Sequence, residues 1–164
     1  MPLLINLRDL EQHPVLQLEG QLPVVDLDLD NIDELIHLTR PVEFSLEVEK
    51  LEESLLVRGR VECVLDCECA RCLKPFPLKL SFNHWTCHLP LEGEEKVPVA
   101  NDTVDLTPFV REDILLEFPQ HPLCRPECSG LLKKPVGKKK KIESGAGQTK
   151  DNASAWAELN KLKF

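Results

Sequence analysis

Hydrophobic and polar residues alternate through the middle of the chain with the period of a β-strand. In "VEFSLEVEKL" the apolar positions are Val42, Phe44, Leu46 and Val48, and glutamates and a serine lie between them. The same period runs through "SLLVRGRVECVLDCEC", and the five residues 50–54 link the two alternating runs. Because successive side chains of a strand point to opposite faces, each stretch predicts a half-buried strand, and the short link predicts a hairpin.

A third alternating stretch follows and changes its phase part-way. Its apolar positions are Phe76, Leu78, Leu80 and Phe82, and then Trp85, Cys87 and Leu89. A bulge near Asn83 and His84 would account for this change, because a bulge inserts one extra residue into a strand. Three neighbouring strands with short connections predict an antiparallel meander that has one face in water.

The flanking stretches predict shorter elements. The segment "LPVVDLDLD", residues 22–30, alternates more weakly and predicts an edge strand, whereas "NIDELIHL", residues 31–38, predicts a short helix. The segment "LEGEEKVPVANDT", residues 91–103, predicts an acidic loop because it has no apolar period. The edge strand and the short helix would precede the meander, and the acidic loop would follow it.

The pattern becomes helical in "DLTPFVREDILLEF", and a helix is predicted at about residues 107–118. Thr107 is the candidate N-cap, and Pro108 suits the first helical position. The predicted apolar face consists of Phe109, Val110, Ile114 and Leu116. We expect this helix to cover one face of the sheet, which gives an α+β fold.

Charge divides the chain into an acidic part and a basic part. From Lys133 onward, nine lysines and arginines accompany three acids, a net charge of +6, whereas the preceding residues carry 11 against 25, a net charge of −14. The prediction is therefore an acidic α+β domain over residues 1–132, a flexible basic linker over 133–152 and a short C-terminal helix over 153–164. Nothing at the N-terminus resembles a signal or transit peptide, and no apolar run is long enough to span a membrane, so the cytoplasm is the expected compartment.

Four of the seven cysteines form two close pairs. Cys69 and Cys72 have the spacing C-x2-C, and Cys124 and Cys128 have the spacing C-x3-C. Each spacing lets two thiolates reach one tetrahedral zinc ion, so the four residues are candidate ligands of a structural zinc knot. The alternative is that they are free thiols, and both interpretations remain open at this stage. A redox function is disfavoured because the C-x2-C pair lies between strands rather than at the start of a helix.

The other three cysteines and the basic residues have simpler interpretations. Cys63, Cys67 and Cys87 fall on the apolar positions of the strands and are expected in the core. Arg71 is a candidate contact for phosphate or for the thiolates, or an exposed turn residue without a function. The run "KKPVGKKKK" is a candidate RNA or anion contact through Lys133, Lys134, Lys138, Lys139, Lys140 and Lys141. The alternative is that this run only increases solubility.

Several ordered motifs resemble the YceD family of large ribosomal RNA subunit accumulation proteins. They are "CARCLKPF", "VDLTPFVREDILLEFP", "PLCRPECSGLL" and the terminal "DNASAWAELNKLK". The resemblance implies a bacterial or plastid factor without enzymatic activity that supports accumulation of the large-subunit ribosomal RNA. The residues that correspond to the family's marked positions are Cys69, Arg71, Cys72, Arg111, Glu112, Pro119, Cys124, Cys128, Gly130 and Leu131.

From this resemblance and from the charges, we expect a scaffold in ribosome biogenesis. Its partners would be the large-subunit ribosomal RNA or a pre-ribosomal particle, and a basic ribosomal protein or assembly factor, with no membrane and no small-molecule substrate. Two alternatives remain at this stage. The chain could be a zinc-stabilised protein-interaction module unrelated to ribosomes, or a thiol enzyme with a low pKa at Cys69 or Cys72.

Overall fold

The computed structural model describes residues 1–29 and 32–131, which fall within a unit that spans Met1–Leu132. The predicted linker, the predicted C-terminal helix and the six lysines of the basic run lie outside the described residues. In chain order, the elements are β1 (Leu4–Asn6), α1 (Leu7–Gln12), β2 (Val15–Leu22), α2 (Val24–Leu27), β3 (Ile36–Leu38), β4 (Val42–Lys50), β5 (Ser54–Glu68), β6 (Pro75–Pro90), β7 (Val99–Ala100), β8 (Thr103–Asp105) and α3 (Thr107–Leu116).

The large sheet is antiparallel and is organised around the 15-residue strand β5. One side of β5 pairs with β4 over its first half and with β3 over its second half, and β6 pairs along the whole of the other side. The strand β2 pairs with β4 and completes five strands. The predicted meander of β4, β5 and β6 is thereby confirmed, and so is the predicted α+β class. Prolines at 75, 77 and 90 are tolerated in β6 because, of the strands described, it pairs with β5 alone.

Alternation along β5 builds the core. Buried side chains of β5 are Leu55, Val57, Val61, Cys63, Leu65 and Cys67, and the residues between them are largely polar. The register of β5 against β6 shifts between Gly59 and Val61, which are opposite Trp85 and Phe82. Asn83 and His84 together therefore lie opposite Arg60 alone, and the predicted bulge is confirmed.

A second, three-stranded sheet has the order β1, β8, β7 and joins the N-terminus to α3. Its hairpin turns at Asn101 and Asp102, whose φ angles of 53° and 59° are those of a type I′ turn. The end of the predicted acidic loop is therefore a hairpin. Thr107 begins α3 but does not cap it, because its hydroxyl accepts a hydrogen bond from the backbone N–H of Leu3.

Three further local predictions were wrong. The segment predicted as an edge strand contains the helix α2, which ends at Asp28 in the left-handed region with a φ of 46°. The segment predicted as a helix contains β3, whose Ile36 and Leu38 are buried through pairing with β5. On α3, Val110 and Ile114 are buried but Leu116 is 81% exposed, because six residues at 100° each place it away from the face of Val110.

Candidate metal centre

The first cysteine pair lies in the tight turn that connects β5 to β6. The backbone N–H of Cys69 donates to the carbonyl of Lys74 at 3.0 Å, and the N–H of Leu73 donates to the carbonyl of Cys69 at 2.8 Å. Leu73 has a φ of 58°, a left-handed conformation that costs a residue other than glycine about 1–2 kcal/mol. Because the backbone closes on itself within six residues, the thiols of Cys69 and Cys72 come together.

The second pair lies in the loop that follows α3. This loop contacts the turn through the N–H of Ala70, which donates to the carbonyl of Pro122 at 2.8 Å. The guanidinium of Arg71 donates to the carbonyl of Cys128 at 2.9 Å. Gly130 has a φ of 82°, and a Cβ there would lie 3.4 Å from the carbonyl oxygen of Arg71. These contacts place the C-x3-C pair beside the C-x2-C pair.

All four sulfur atoms lie within 4.8 Å of one another. The Sγ atoms of Cys69 and Cys128 are 3.7 Å apart, and those of Cys72 and Cys124 are 3.8 Å apart. Four sulfurs at zinc–thiolate distance around a tetrahedral centre are about 3.8 Å from one another, whereas a disulfide has an S–S distance of about 2 Å. The four predicted ligands are therefore together, and their geometry fits a single tetrahedral metal ion.

The pKa values in this cluster differ widely. The backbone N–H of Cys124 is the largest of several hydrogen-bonding effects that lower the pKa of Cys69 to about 6. Desolvation by the surrounding protein, and then the sulfurs of its neighbours, raise the pKa of Cys124 to about 12. Close thiols oppose one another's ionisation because each thiolate repels the next. A bound cation would hold all four as thiolates, which is the state that ligates metal.

The remaining cysteines belong to the core, as predicted. Cys63 and Cys67 are buried, and Cys87 is half-buried against the same cluster of apolar side chains. Burial raises the pKa of Cys63 and of Cys87 to about 11, and the charge of Asp113 adds to the effect at Cys87. These thiols are protonated near neutral pH and are poor metal ligands.

The predicted anion contacts all stay predictions, although the position of Arg71 is described. Arg71 donates to the loop carbonyl described above, and its contact with RNA stays a prediction, as do those of the six lysines. Lys74 and Arg125, which were not among the predicted anion contacts, line a pocket of about 600 Å³ beside Cys72 and Cys124. The sequence could have indicated both residues, because Lys74 follows the C-x2-C pair and Arg125 lies within the C-x3-C pair.

The cluster and the helix α3 lie in the part of the chain that matches a family of known proteins. The family model described as large ribosomal RNA subunit accumulation protein YceD matches residues 57–163. The chain belongs to the YceD family. Its description implies a role in the accumulation of the large ribosomal RNA. The matched region contains both cysteine pairs, so the candidate metal centre lies within the part that matches the YceD family model.

Curated relatives come from mycobacteria. Uncharacterized proteins of Mycobacterium bovis and Mycobacterium tuberculosis are each 32% identical over 98 residues, which is 55% of this chain and 47% of their length. An uncharacterized protein of Mycobacterium leprae is 28% identical over 99 residues. The chain thus spans about half the length of the curated relatives it matches. No solved structure matches the chain. No helix in the described ranges is long and apolar enough to cross a membrane.

Proposed function

We propose that this YceD protein is a cytoplasmic ribosome biogenesis factor without enzymatic activity, and that it supports accumulation of the large-subunit ribosomal RNA as a scaffold. The observation that carries the proposal is the family match over residues 57–163. The chemistry of the four cysteines supports the lack of enzymatic activity, because four thiolate ligands complete a tetrahedral zinc shell and leave no position for a substrate or water.

The proposed metal is zinc, and its role is structural. Zinc prefers four-coordinate thiolate sites, and the sulfur spacing fits that geometry. Cys69 and Cys128 are buried, which suits a closed site rather than a reactive one. The zinc ion would fix the loop after α3 to the turn between β5 and β6, so that both present one constant surface to a partner.

The charge distribution supports scaffolding of two kinds of partner. The net charge of −14 before Lys133 favours a basic ribosomal protein or assembly factor, whereas the net charge of +6 after it favours RNA. Two weak contacts carried by one chain reinforce each other through their effective concentration. The scaffold would thereby bring a protein and the ribosomal RNA together.

The test combines metal analysis of the purified protein with sedimentation of ribosomal particles from cells. We expect one zinc per chain in the wild type, and loss of zinc with fewer large subunits in a Cys69→Ser, Cys72→Ser variant. Cys87→Ala is the matched control, because Cys87 lies outside the cluster, and it should keep both zinc and large subunits. Replacing the six lysines by glutamine should keep zinc but reduce large subunits.

Each part of the proposal has its own contrary outcome. Zinc loss with normal large subunits would favour the zinc-stabilised interaction module unrelated to ribosomes. Absence of zinc from the native protein would refute the metal centre. Normal large subunits in the lysine variant would contradict the RNA contact but not the metal.

A further inference from the structure

A pocket of about 340 Å³ lies between the bulge of β6 and the C-terminal end of α3. Phe82 and Trp85 contribute to its lining from the strand, and Asp113, Leu116 and Glu117 contribute from the helix. The bulge shapes this surface because its extra residue lets Phe82, before the shift, and Trp85, after it, both lie on the core side of β6. None of these lining residues belongs to the cysteine cluster.

Both walls of the pocket carry an apolar side chain. Leu116 is 81% exposed, although it lies on the same helix as the buried Val110 and Ile114. Phe82 is half-buried and packs against the core at the other wall. An exposed leucine beside an aromatic ring offers a contact for an aliphatic side chain.

The rim of the pocket is negative. Glu117 is the C-cap of α3, whose last turn contains no basic residue, so its charge adds to the negative end of the helix dipole. The indole N–H of Trp85 donates to Asp113 at 2.6 Å and holds that carboxylate at the pocket. Within the described ranges, neither acid has an ion-pair partner. The negative potential at this rim is therefore available to a cation.

We propose that this pocket, the α3–β6 groove, binds a basic segment of a partner protein, with an arginine or lysine side chain between Asp113 and Glu117 and an aliphatic side chain against Leu116. This inference rests on the proposed function, because the groove would be the place where the acidic domain holds a basic ribosomal protein or assembly factor. A carboxylate at this rim can accept charge-assisted hydrogen bonds from a guanidinium or an ammonium. RNA does not fit, because its phosphates would face two carboxylates and a helix C-terminus.

The binding test uses the full chain and a synthetic peptide of arginine, leucine and glycine, with isothermal titration calorimetry as the measurement. A peptide with citrulline in place of arginine has nearly the same shape without the charge, and should bind about tenfold more weakly. A Leu116→Ser, Glu117→Gln variant should lose affinity for the arginine peptide by a similar factor. Both residues are exposed, so the thermal unfolding temperature of the variant should be unchanged. Glu52→Gln is the control, since it removes one exposed charge outside the groove and should bind like the wild type.

Two kinds of result would contradict binding of a basic segment at the α3–β6 groove. One is equal binding of the arginine and citrulline peptides, or of the wild type and the groove variant. The other is a single-stranded RNA oligonucleotide that competes with the peptide and loses affinity in the same variant.

Large-subunit ribosomal RNA levels in cells test the proposed function separately. Reduced levels of this RNA in the groove variant, together with weaker peptide binding, would support both the proposed function and binding at the groove. Normal levels after loss of the whole protein would overturn the proposed function and leave the binding result valid.

Discussion

Glu62 is the centre of a small charge network on the exposed face of the large sheet. One of its carboxylate oxygens accepts hydrogen bonds from Arg60 at 2.7 Å and from Ser81 at 2.8 Å, and lies 3.0 Å from the ammonium of Lys79. The Ser81 hydroxyl contributes most, with Lys79 and Arg60 next, and together they lower the pKa of Glu62 from 4.5 to about 2. The ionised side chain is therefore favoured in the folded state.

This shift gives a prediction about acid stability. Because the folded pKa is lower than the unfolded one, the contribution of Glu62 is present above pH 4.5 and is lost as the pH falls towards 2. Glu62→Gln should therefore lose less stability than the wild type over that interval, as measured by urea unfolding at several pH values. Glu52→Gln, an exposed residue of the turn between β4 and β5, should follow the wild type. Parallel curves for all three proteins would contradict the prediction.

At the level of the elements, the backbones of β4 and β5 lie close together at Gly59. This glycine pairs with Leu46 on one side and Trp85 on the other, immediately before the register shift. A Cβ at this position would lie 2.2 Å from the carbonyl oxygen of Ser45 and 2.8 Å from the Cα of Leu46. Both atoms belong to the backbone of β4, so no rotamer change can make room.

Gly59→Ala should lower the free energy of unfolding by about 3 kcal/mol, because the two strands must separate to admit the methyl group. The matched control is Gly20→Ala in β2, where the nearest atom is Cζ of the Phe44 side chain at 3.2 Å. A small shift of the Phe44 ring accommodates that methyl group, so the control should change stability by less than about 1 kcal/mol. Urea unfolding followed by circular dichroism measures both. Equal losses in the two variants would show that the close approach at Gly59 is not the cause.

At the scale of the whole molecule, the cysteine cluster connects parts of the chain that are far apart in sequence. Two of its sulfur contacts join residues separated by 59 and 52 positions. A metal ion there would close this long loop. The closure would reduce the conformational entropy of the unfolded chain and so stabilise the folded state. The loop after α3 would depend on it most, since prolines at 119, 122 and 126 interrupt regular structure there.

Removal of the metal should therefore lower the free energy of unfolding by about 4 kcal/mol, the entropy expected for closing a loop of this length. Thermal unfolding with and without a chelator measures the change, and hydrogen exchange should show the largest loss of protection in residues 120–131. A Cys72→Ser variant should be insensitive to the chelator. An identical response of wild type and variant would contradict a stabilising metal.

Much of the fold follows from local pattern in the sequence. Alternation predicted β4, β5, β6 and the bulge, because a strand that buries one face must repeat every two residues. The spacing of Cys69 with Cys72, and of Cys124 with Cys128, predicted the candidate ligands, since each pair lies within one turn or loop.

How distant segments of the chain meet depends on tertiary packing. β3 is a strand because β5 extends beyond β4 and offers it a partner, and α2 is a helix although its neighbouring leucines alternate. The proximity of the two cysteine pairs depends on Arg71 and Ala70, which contact the distant loop. The α3–β6 groove likewise needs a helix end and a bulge to lie together. The period of a segment indicates which of its faces is buried. Which other segment covers that face depends on the packing of the whole chain.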